Sequence, residues 1–248
     1  MIHDTFRSDM LAGRIALVVG GTSGIGAGIA DALASVGAVV TVTGATAAEV
    51  DNARAVPGFA CRDALLLDVR DDDAVKRLIA NLPRLDALIN CAGIIRRGVE
   101  HEPAEFAQTI AVNLTGTMRC CAHAREKLKA SRGTIVNLGS VYSTLGAPHA
   151  PGYAASKGGV LQLTRSLAVA YAVDGIRVNA VAPGWIATPL TAPVQGDAAK
   201  SAAILARTPL GRWGEPIDVA GAVTFLVSPA ARFVTGAMLA VDGGYVVT

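Results

Sequence analysis

The sequence has little net charge and no long apolar segment, and these absences exclude several classes of protein. Its 22 Lys and Arg nearly balance its 20 Asp and Glu, for a formal net charge of +2. The two signs are interspersed, so no basic surface for nucleic acid or anionic lipid is predicted. No apolar run reaches membrane-spanning length, and residues 1–13 have no signal-peptide core. We expect a cytoplasmic protein with no nucleic-acid and no membrane partner.

Cysteine is also scarce, and its spacing does not indicate a metal site. The four cysteines are Cys61, Cys91, Cys120 and Cys121. No separation between them matches a zinc-binding pattern, and the adjacent pair lies in a predicted helix, where the two side chains diverge. We therefore expect no metal and reduced thiols. The sequence also has no repeat, charged tail or heptad pattern, so nothing in it favours a structural role.

A strand–helix–strand pattern is present near the start of the chain. Residues 14–20 form a short apolar run that is typical of a buried parallel strand. A glycine-rich turn follows, then an alanine-rich helical pattern that ends at Gly37, and then a second apolar run over residues 39–43. This βαβ order is the context in which a glycine-rich turn binds a dinucleotide.

Three glycines of this turn have separate predicted roles. Gly20 permits the tight turn, Gly24 lets the backbone approach a pyrophosphate, and Gly26 lets the helix lie close to the sheet. The helix N-terminus then offers free N–H groups and its positive dipole end to the phosphates. The cofactor-binding residues predicted here are Gly20, Thr22, Ser23, Gly24, Ile25 and Gly26.

Tyr153 and Lys157 are the most informative pair in the chain. Four residues make about one helical turn, so the phenol and the ammonium project from the same helix face. An isolated Tyr has a pKa near ~10, and a neighbouring cation favours its phenolate. A phenolate held in place can accept or return the proton of an alcohol. Ser140 lies thirteen residues upstream of Tyr153.

The rest of the chain alternates predicted helices and strands without a linker. Helices are predicted over residues 71–81, 103–130, 153–173 and 215–227, and strands over residues 64–67, 85–89, 133–139, 176–182 and 237–241. We predict one α/β domain over residues 1–248, a Rossmann fold whose doubly wound parallel sheet has about seven strands. One long irregular stretch, residues 185–213, is predicted to be a substrate lid containing a short helix over 198–206.

Together these motifs resemble the short-chain dehydrogenase/reductase family, over essentially the whole chain. The family's T-G-x-x-x-G-x-G turn matches residues 19–26, with Val19 in place of the Thr. Its N-N-A-G motif appears as N-C-A-G over residues 90–93, with Cys91 in place of the second Asn. Its Y-x-x-x-K motif matches Tyr153 and Lys157. The resemblance implies an NAD(P)-dependent oxidoreductase that interconverts a secondary alcohol and a ketone.

The resemblance also implies roles for individual residues. The implied catalytic residues are Asn113, Ser140, Tyr153 and Lys157. Lys157 would lower the pKa of Tyr153 and bind the nicotinamide ribose, and Asn113 would hold a water that relays protons from Lys157 to solvent. Beyond the glycine turn, the implied cofactor contacts are Gly44, Asp68, Val69, Asn90, Ala92, Gly93, Tyr153, Lys157, Pro183, Gly184, Ile186 and Thr188.

The choice between NAD and NADP is less strongly indicated. NAD selection usually needs an acid at the end of the second strand, where this sequence has Gly44. NADP selection needs a base near the 2′-phosphate, yet Ser23 and Ala45 are uncharged. A phosphate without a basic partner loses its strongest interaction, so NAD is slightly favoured. Arg62, from the neighbouring strand, is the residue that would reverse this preference.

Two segments bear on the substrate. Arg96 and Arg97 follow the N-C-A-G motif, and the end of the lid contains Arg212. Both segments are similar to the subgroup that oxidises deoxy-gluconate and related sugar acids, and basic residues near a crevice suit carboxylates. The alternatives are that Arg96 and Arg97 are solvated and that Arg212 pairs with Glu215 or Asp218. His149 is expected to be an exposed loop residue, although it precedes the catalytic helix.

Two further functions and an assembly remain to be tested. The substrate alternative is a 3-oxoacyl thioester, as in reductases of fatty-acid synthesis. The alternative of another class is a cofactor-sensing regulator without catalysis, although the chain retains every catalytic residue of the family. The family resemblance implies that the helices over residues 103–130 and 153–173 pack against their symmetry mates. Residues 158–163 and 167–170 are too apolar for a solvated helix face, and the tail 240–248 is also apolar. Two such surfaces predict a homotetramer with D₂ symmetry.

Overall fold

Seven parallel strands form one sheet, in the order β3-β2-β1-β4-β5-β6-β7. The computed structural model describes residues 5–56, 58, 61 and 63–248. The strands are β1 Ile15–Val19, β2 Val39–Gly44, β3 Asp63–Leu66, β4 Ala87–Asn90, β5 Thr134–Leu138, β6 Arg177–Pro183 and β7 Met238–Val241. The predicted α/β class and seven-stranded parallel sheet are confirmed. The strand order reverses between β1 and β4, and open α/β sheets bind ligands at such a switch point.

Helices cover both faces of the sheet. They are α1 Gly24–Ser35, α2 Ala47–Arg54, α3 Asp72–Asn81, α4 Pro103–Ile110, α5 Thr117–Ser131, α6 Pro151–Tyr171, α7 Ala192–Gln195, α8 Ala198–Ala206 and α9 Pro216–Val227. Apolar residues of α1 and α9 form the core on one face, and those of α3, α5 and α6 form the core on the other. Because both faces are covered, the central strands are buried throughout, as their unbroken apolar runs predict.

The predicted helix over residues 103–130 is interrupted. A wider, π-helical segment, Ala111–Gly116, separates α4 from α5 and contains Asn113. The Asn113 side-chain amide forms hydrogen bonds with the Ile94 backbone. Gly116 lies so close to Val69 that a Cβ there would be 2.5 Å from Val69 Cγ2. Extra residues in a helix often mark functional sites, because they redirect one side chain. The periodicity of the sequence does not reveal this local change.

Two helix boundaries depend on capping. The short helix α2 was not predicted from its apolar pattern, because only Val50 and Ala53 are buried. A capping box between Thr46 and Glu49 begins it. Helix α6 begins at Pro151, two residues before the predicted start, because Pro is favoured at the first helical position.

The described part of the chain contains neither a candidate membrane span nor a candidate metal cluster. None of its helices is both long and apolar enough to cross a membrane. None of its His, Cys, Asp and Glu residues gather in groups of three or more that suit a metal ion. All four cysteines are free thiols, and Cys61, Cys120 and Cys121 are buried.

Candidate active site

A cavity of about 570 Å³ opens along the carboxyl ends of the central strands. It extends from the end of β2 to the start of α6, and it is lined by most of the predicted site residues. Two predicted residues do not line it, Asn90 and Asn113. The Asn90 amide instead donates to Asn137 Oδ1 at 2.9 Å and contacts Cys121 Sγ. Its side chain therefore connects the sheet to α5 and does not face the cofactor cavity.

The glycine turn lies against the N-C-A-G segment. Gly20 has a positive φ of 76°, and a Cβ there would lie 2.6 Å from Ala92 N. A Cβ on Gly26 would overlap the Gly20 carbonyl oxygen. Helix α1 begins at Gly24, and the Ser23 hydroxyl makes no cap hydrogen bond. The first N–H groups of α1 are therefore free to bind an anion, and the turn fits the pyrophosphate of a dinucleotide.

The end of the cavity beside β2, where the adenosine of a dinucleotide is expected (the adenosine end), holds a carboxylate that was not predicted from the sequence. Glu49 Oε2 accepts hydrogen bonds from Ala45 N at 2.6 Å and Thr46 N at 3.1 Å, beside the end of β2. A Cβ on Gly44 would lie 3.0 Å from Glu49 Cβ, so the glycine makes room for this side chain. The capping-box sequence T-A-A-E was the available signal. Arg62 lies outside the described residues.

Asp68 also lies at this end, where it pairs with Arg70. The two side chains are 2.7 Å apart, and the hydrogen bond from Arg70 lowers the pKa of Asp68. Both residues line the cavity together with Val69. Arg70 is thus a cation near the adenosine end whose charge is already partly compensated.

Tyr153 and Ser140 meet where the cavity reaches the start of α6. Burial raises the pKa of Tyr153, and a hydrogen bond from Ser140 opposes this effect, as does the charge of Arg97. Ser140 is itself fixed, because its hydroxyl accepts from Tyr142 N at 3.2 Å at the end of β5. The two predicted residues therefore share one hydrogen-bonded corner of the cavity.

Lys157 lies on the same face of α6 but does not bond to the Tyr153 hydroxyl. Its ammonium donates to the Leu138 carbonyl oxygen at 2.7 Å and lies 5.6 Å from the centroid of the Tyr153 ring. Burial lowers the pKa of Lys157 to about 8. The expected lowering of the Tyr153 pKa by Lys157 is not seen in this chain alone, because burial of the phenol outweighs the nearby charges.

Asn113 lies behind the part of the cavity lined by Gly93 and Lys157, where the nicotinamide is expected (the nicotinamide end). Its side chain is fully buried, accepts from Ile94 N at 2.8 Å and donates to Ile94 O at 2.9 Å. A Cβ on Gly93 would lie 3.4 Å from Asn113 Oδ1 and 3.6 Å from Lys157 Nζ. Gly93 thus separates the two predicted relay residues at close range. The water-mediated relay between them stays a prediction.

The part of the cavity beside Tyr153, where the substrate is expected (the substrate end), combines aromatic rings with one arginine. Tyr142 packs edge-to-face on Tyr153 and on Trp185, with ring centroids 6.2 and 6.5 Å apart. The Trp185 indole N–H is buried and has no hydrogen-bond partner among the described residues. Arg97 lines the same part of the cavity and donates weakly to the Leu190 carbonyl oxygen at 3.5 Å. This corner offers an apolar wall and a positive charge, beside a buried N–H group that has no partner among the described residues.

The other basic residues considered from the sequence are held elsewhere. Arg96 forms an ion pair with Glu105 at 2.6 Å. Arg212 pairs with Asp218 at 2.7 Å, which was the structural alternative predicted for it. His149 is exposed and does not line the cavity. Within residues 185–213, Ile186, Thr188 and Leu190 line the cavity, while closure of this segment as a lid stays a prediction.

Comparison with known proteins agrees with this geometry. The family model described as enoyl-(acyl carrier protein) reductase matches residues 19–246. The cis-4-hydroxycyclohexanecarboxylate dehydrogenase of Sinomonas cyclohexanicum is 43% identical over 96% of this chain and 98% of its own length. The galactitol 2-dehydrogenase (L-tagatose-forming) of Cereibacter sphaeroides is 42% identical over 96% of both chains. A crystal structure of a candidate 2-deoxy-D-gluconate 3-dehydrogenase from Agrobacterium tumefaciens, with bound NADP, is 40% identical with a TM-score of 0.88, over 98% of this chain and 100% of that one.

These matches show the family. The chain belongs to the short-chain dehydrogenase/reductase family, as its motifs predict. It is an NAD(P)-dependent oxidoreductase that interconverts a secondary alcohol and a ketone.

Proposed function

We propose that the chain oxidises the secondary alcohol of a small hydroxy acid, of the sugar-acid or alicyclic type, to a ketone. The position of Arg97 is the observation that carries this proposal, because it adds a positive charge to the substrate end, near Tyr153. A carboxylate gains a charge-assisted hydrogen bond there. The names of the relatives, which include a hydroxycyclohexanecarboxylate and a deoxy-gluconate enzyme, support the same class.

The catalytic roles proposed for the residues follow from their positions. Tyr153, as phenolate, takes the alcohol proton, and Ser140 orients the substrate oxygen through a hydrogen bond. Lys157 and the backbone around Gly93 hold the nicotinamide end, and Asn113 fixes the wall behind it. A bound NAD(P) supplies the hydride acceptor, and the protein supplies position and electrostatics. The ordinary pKa of Tyr lies well above neutral pH, and burial raises that of Tyr153 further. The phenolate of Tyr153 therefore forms near neutral pH only if neighbouring donors and cations stabilise it.

For the cofactor we favour NAD, on the ground of Glu49. Its carboxylate lies at the end of β2, beside Gly44, where NAD-selective proteins use an acid on the ribose 2′-OH. A 2′-phosphate placed near it would meet a like charge. Against this, Arg70 lines the same region, and a similar protein has been crystallised with NADP. The expected preference is therefore modest.

For the assembly we retain a homotetramer working in the cytoplasm. Val169 and Val173, on α6 and in the turn after it, are 79% and 86% exposed, and Val247 in the tail is 83% exposed. Exposed apolar side chains on two separate surfaces favour two interfaces. The apolar residues Val160 and Leu161, which suggested the helical interface, are already buried within the subunit. The free thiols suit a reducing compartment.

A substrate panel tests the proposed function. Purified protein is assayed with NAD and with NADP on hydroxycyclohexanecarboxylates, gluconate derivatives, neutral polyols and, in reverse, a 3-oxoacyl thioester. We expect the highest kcat/KM on a hydroxy acid. A preference for the 3-oxoacyl thioester would replace the substrate class, and cofactor binding without any turnover would favour the regulator.

A further inference from the structure

Glu100 is a charged residue that is almost completely buried beside the catalytic corner. It is 1% exposed and lies in the loop after β4. Its carboxylate accepts three hydrogen bonds, from Arg96 N at 2.7 Å, Thr109 Oγ1 at 3.2 Å and Tyr153 N at 2.7 Å. A buried carboxylate is costly unless such donors surround it. This arrangement therefore fixes the groups that donate to it.

One oxygen of Glu100 caps the helix that carries Tyr153. Helix α6 has no side-chain cap of its own, and its first residue, Pro151, has no N–H. Tyr153 N, the third position, is one of the orphan donors that a helix start leaves. Glu100 Oε2 satisfies it from a distant part of the chain, and its negative charge suits the helix dipole. A Cβ on Gly152 would lie 3.1 Å from the same oxygen, so the glycine leaves room for it.

The other oxygen of Glu100 holds the loop that carries Arg97. Oε1 accepts from Arg96 N, so the residue before Arg97 is held through its backbone. The same loop docks on the segment leading into α6 through Gly98 N, which donates to His149 O at 2.7 Å. His101 Nε2 adds a contact to Pro148 O at 2.9 Å. The arginine loop and the start of α6 thus form one unit, with Glu100 at its centre.

We propose that Glu100 is a positioning residue that fixes the Tyr153 oxygen and the Arg97 side chain relative to each other by holding both backbones on one carboxylate. The inference rests on the proposed function, in which Tyr153 takes the alcohol proton and Arg97 binds the substrate carboxylate. Small displacements of such groups are expensive, because about 1 Å of misplacement can cost about a hundredfold in rate.

The charge of Glu100 gives this role a signature that a purely structural residue lacks. Four groups act on the Tyr153 phenol: Ser140 at the end of β5, Tyr142, and Arg97 and Glu100 in the loop after β4. Lys157 faces the Tyr153 ring from α6. Ser140 and Arg97 lower the pKa of Tyr153, whereas Glu100 raises it. Removing the charge of Glu100 therefore lowers the pKa of Tyr153. The acid limb of the pH–rate profile, where oxidation slows because Tyr153 is protonated, then moves to lower pH.

Glu100→Gln and Glu100→Asp separate the two effects. Gln keeps the size but presents an NH₂ group to one of the two N–H donors, and Asp keeps the charge but is too short to reach both. We expect both variants to lose about tenfold or more in kcat, with cofactor Kd within about twofold of wild type. Glu100→Gln should also shift the acid limb to lower pH, and Glu100→Asp should not. Glu102→Gln, the same change on an exposed carboxylate with no cap hydrogen bond, is the matched control.

Several outcomes would overturn the proposal. One is a kcat within twofold of wild type in Glu100→Asp. Another is a loss of turnover in both variants that weaker cofactor binding and a lower Tm explain completely. If Glu100→Gln does not fold, the Asp variant decides alone. If the wild type oxidises no hydroxy acid, the proposed function fails, yet the Tyr153 pKa can still be followed by ultraviolet titration against Tyr153→Phe. An unchanged Tyr153 pKa in folded Glu100→Gln would then count against Glu100.

Discussion

Lys157 Nζ donates a 2.7 Å hydrogen bond to the Leu138 carbonyl oxygen, at the end of β5, and not to the Tyr153 hydroxyl. This bond fixes the ammonium at the wall of the cavity in which a nicotinamide cofactor is expected. The carbonyl compensates only part of the lost hydration, since burial lowers the pKa of Lys157 to about 8. Burial of the Lys157 ammonium therefore lowers the stability of the fold, and the proposed function uses the same group to hold the cofactor.

Lys157→Met should impair both turnover and cofactor binding, because the ammonium is proposed to hold the nicotinamide end of the cofactor and lies 5.6 Å from the centroid of the Tyr153 ring. It should also change how stability depends on pH. Between about pH 8 and the ordinary pKa of 10.5, the unfolded chain still holds the Lys157 proton that the folded chain has lost. The free energy of unfolding of the wild type gains from this residue as pH rises through that window, and the Met variant lacks this gain.

Chemical denaturation of both proteins from pH 7 to pH 10 checks this, and parallel pH slopes would contradict it. Lys127→Met is the matched control, because the Lys127 ammonium also donates to a carbonyl oxygen, that of Leu82, at 2.6 Å. Lys127 lies outside the cavity lining, so its variant should keep turnover and cofactor affinity.

Tyr153→Phe should abolish turnover and leave cofactor binding nearly intact, because only the ionisable oxygen is removed. The edge-to-face packing on Tyr142 survives the change, so the corner should keep its shape. Steady-state kinetics and titration of the cofactor measure the two effects. A variant that keeps a tenth or more of the wild-type kcat would exclude Tyr153 as the acid/base. Tyr171→Phe, in the core on the α6 face, serves as the control.

Much of the fold and of the candidate site was predictable, because both depend on short-range pattern. Buried parallel strands read as apolar runs, and the glycine turn and the Tyr153–Lys157 pair have fixed spacings. The residues that escaped prediction act through tertiary contacts. Glu100 meets Tyr153 N across 53 positions in the chain, and no periodicity indicates such a contact. Asn113, in the wider helical turn, likewise accepts a hydrogen bond from the Ile94 backbone, which belongs to another segment.

Electrostatics were the least predictable part. The spacing of Tyr153 and Lys157 suggests that the cation lowers the phenol pKa, yet burial dominates and raises it. Burial depends on the whole surrounding fold, so a four-residue spacing carries no information about it. Glu49 was overlooked for the opposite reason, since its capping box is a local signal that lies five residues beyond the position where an acid was sought.

Glu49→Gln should raise kcat/KM for NADP by a few-fold, up to about tenfold, and change that for NAD much less. The substitution removes a like charge near the 2′-phosphate, and about 1 kcal/mol, or roughly fivefold, is the size of such an interaction between water-exposed charges. Asp51→Asn is the control, because Asp51 is an exposed acid of the same helix that does not line the cavity. Equal changes for both cofactors would rule out charge repulsion as the basis of selection.

Light scattering at micromolar concentration should give a mass near four subunits. Val169→Asp, on α6, places a charge on one proposed interface, and Val247→Asp places one on the other. Each variant alone should yield a dimer, since a D₂ tetramer that loses one of its two interfaces keeps the other. A wild-type mass near one subunit would end the tetramer proposal, and a wild-type dimer unaffected by Val247→Asp would remove the tail interface.

Arg97→Gln should lower kcat/KM selectively for hydroxy acids. Loss of one charge-assisted hydrogen bond costs about 1.5–3 kcal/mol, which is roughly a ten- to hundredfold decrease. A neutral polyol gives the internal comparison, because it has no carboxylate for Arg97 to bind. The charge of Arg97 also lowers the pKa of Tyr153. Removing that charge should therefore shift the acid limb of the pH–rate profile to higher pH with both substrates.

Comparing the two substrates at one pH cancels that shared shift, and the ratio of their kcat/KM values then reports the carboxylate contact alone. Arg212→Gln is the matched control, since the Arg212 guanidinium is exposed and held by Asp218. It should leave the ratio unchanged. If Arg97→Gln slows the hydroxy acid and the polyol equally, Arg97 acts on the phenol rather than on the carboxylate. The substrate class would then have to be sought through the aromatic wall of Tyr142, Tyr153 and Trp185.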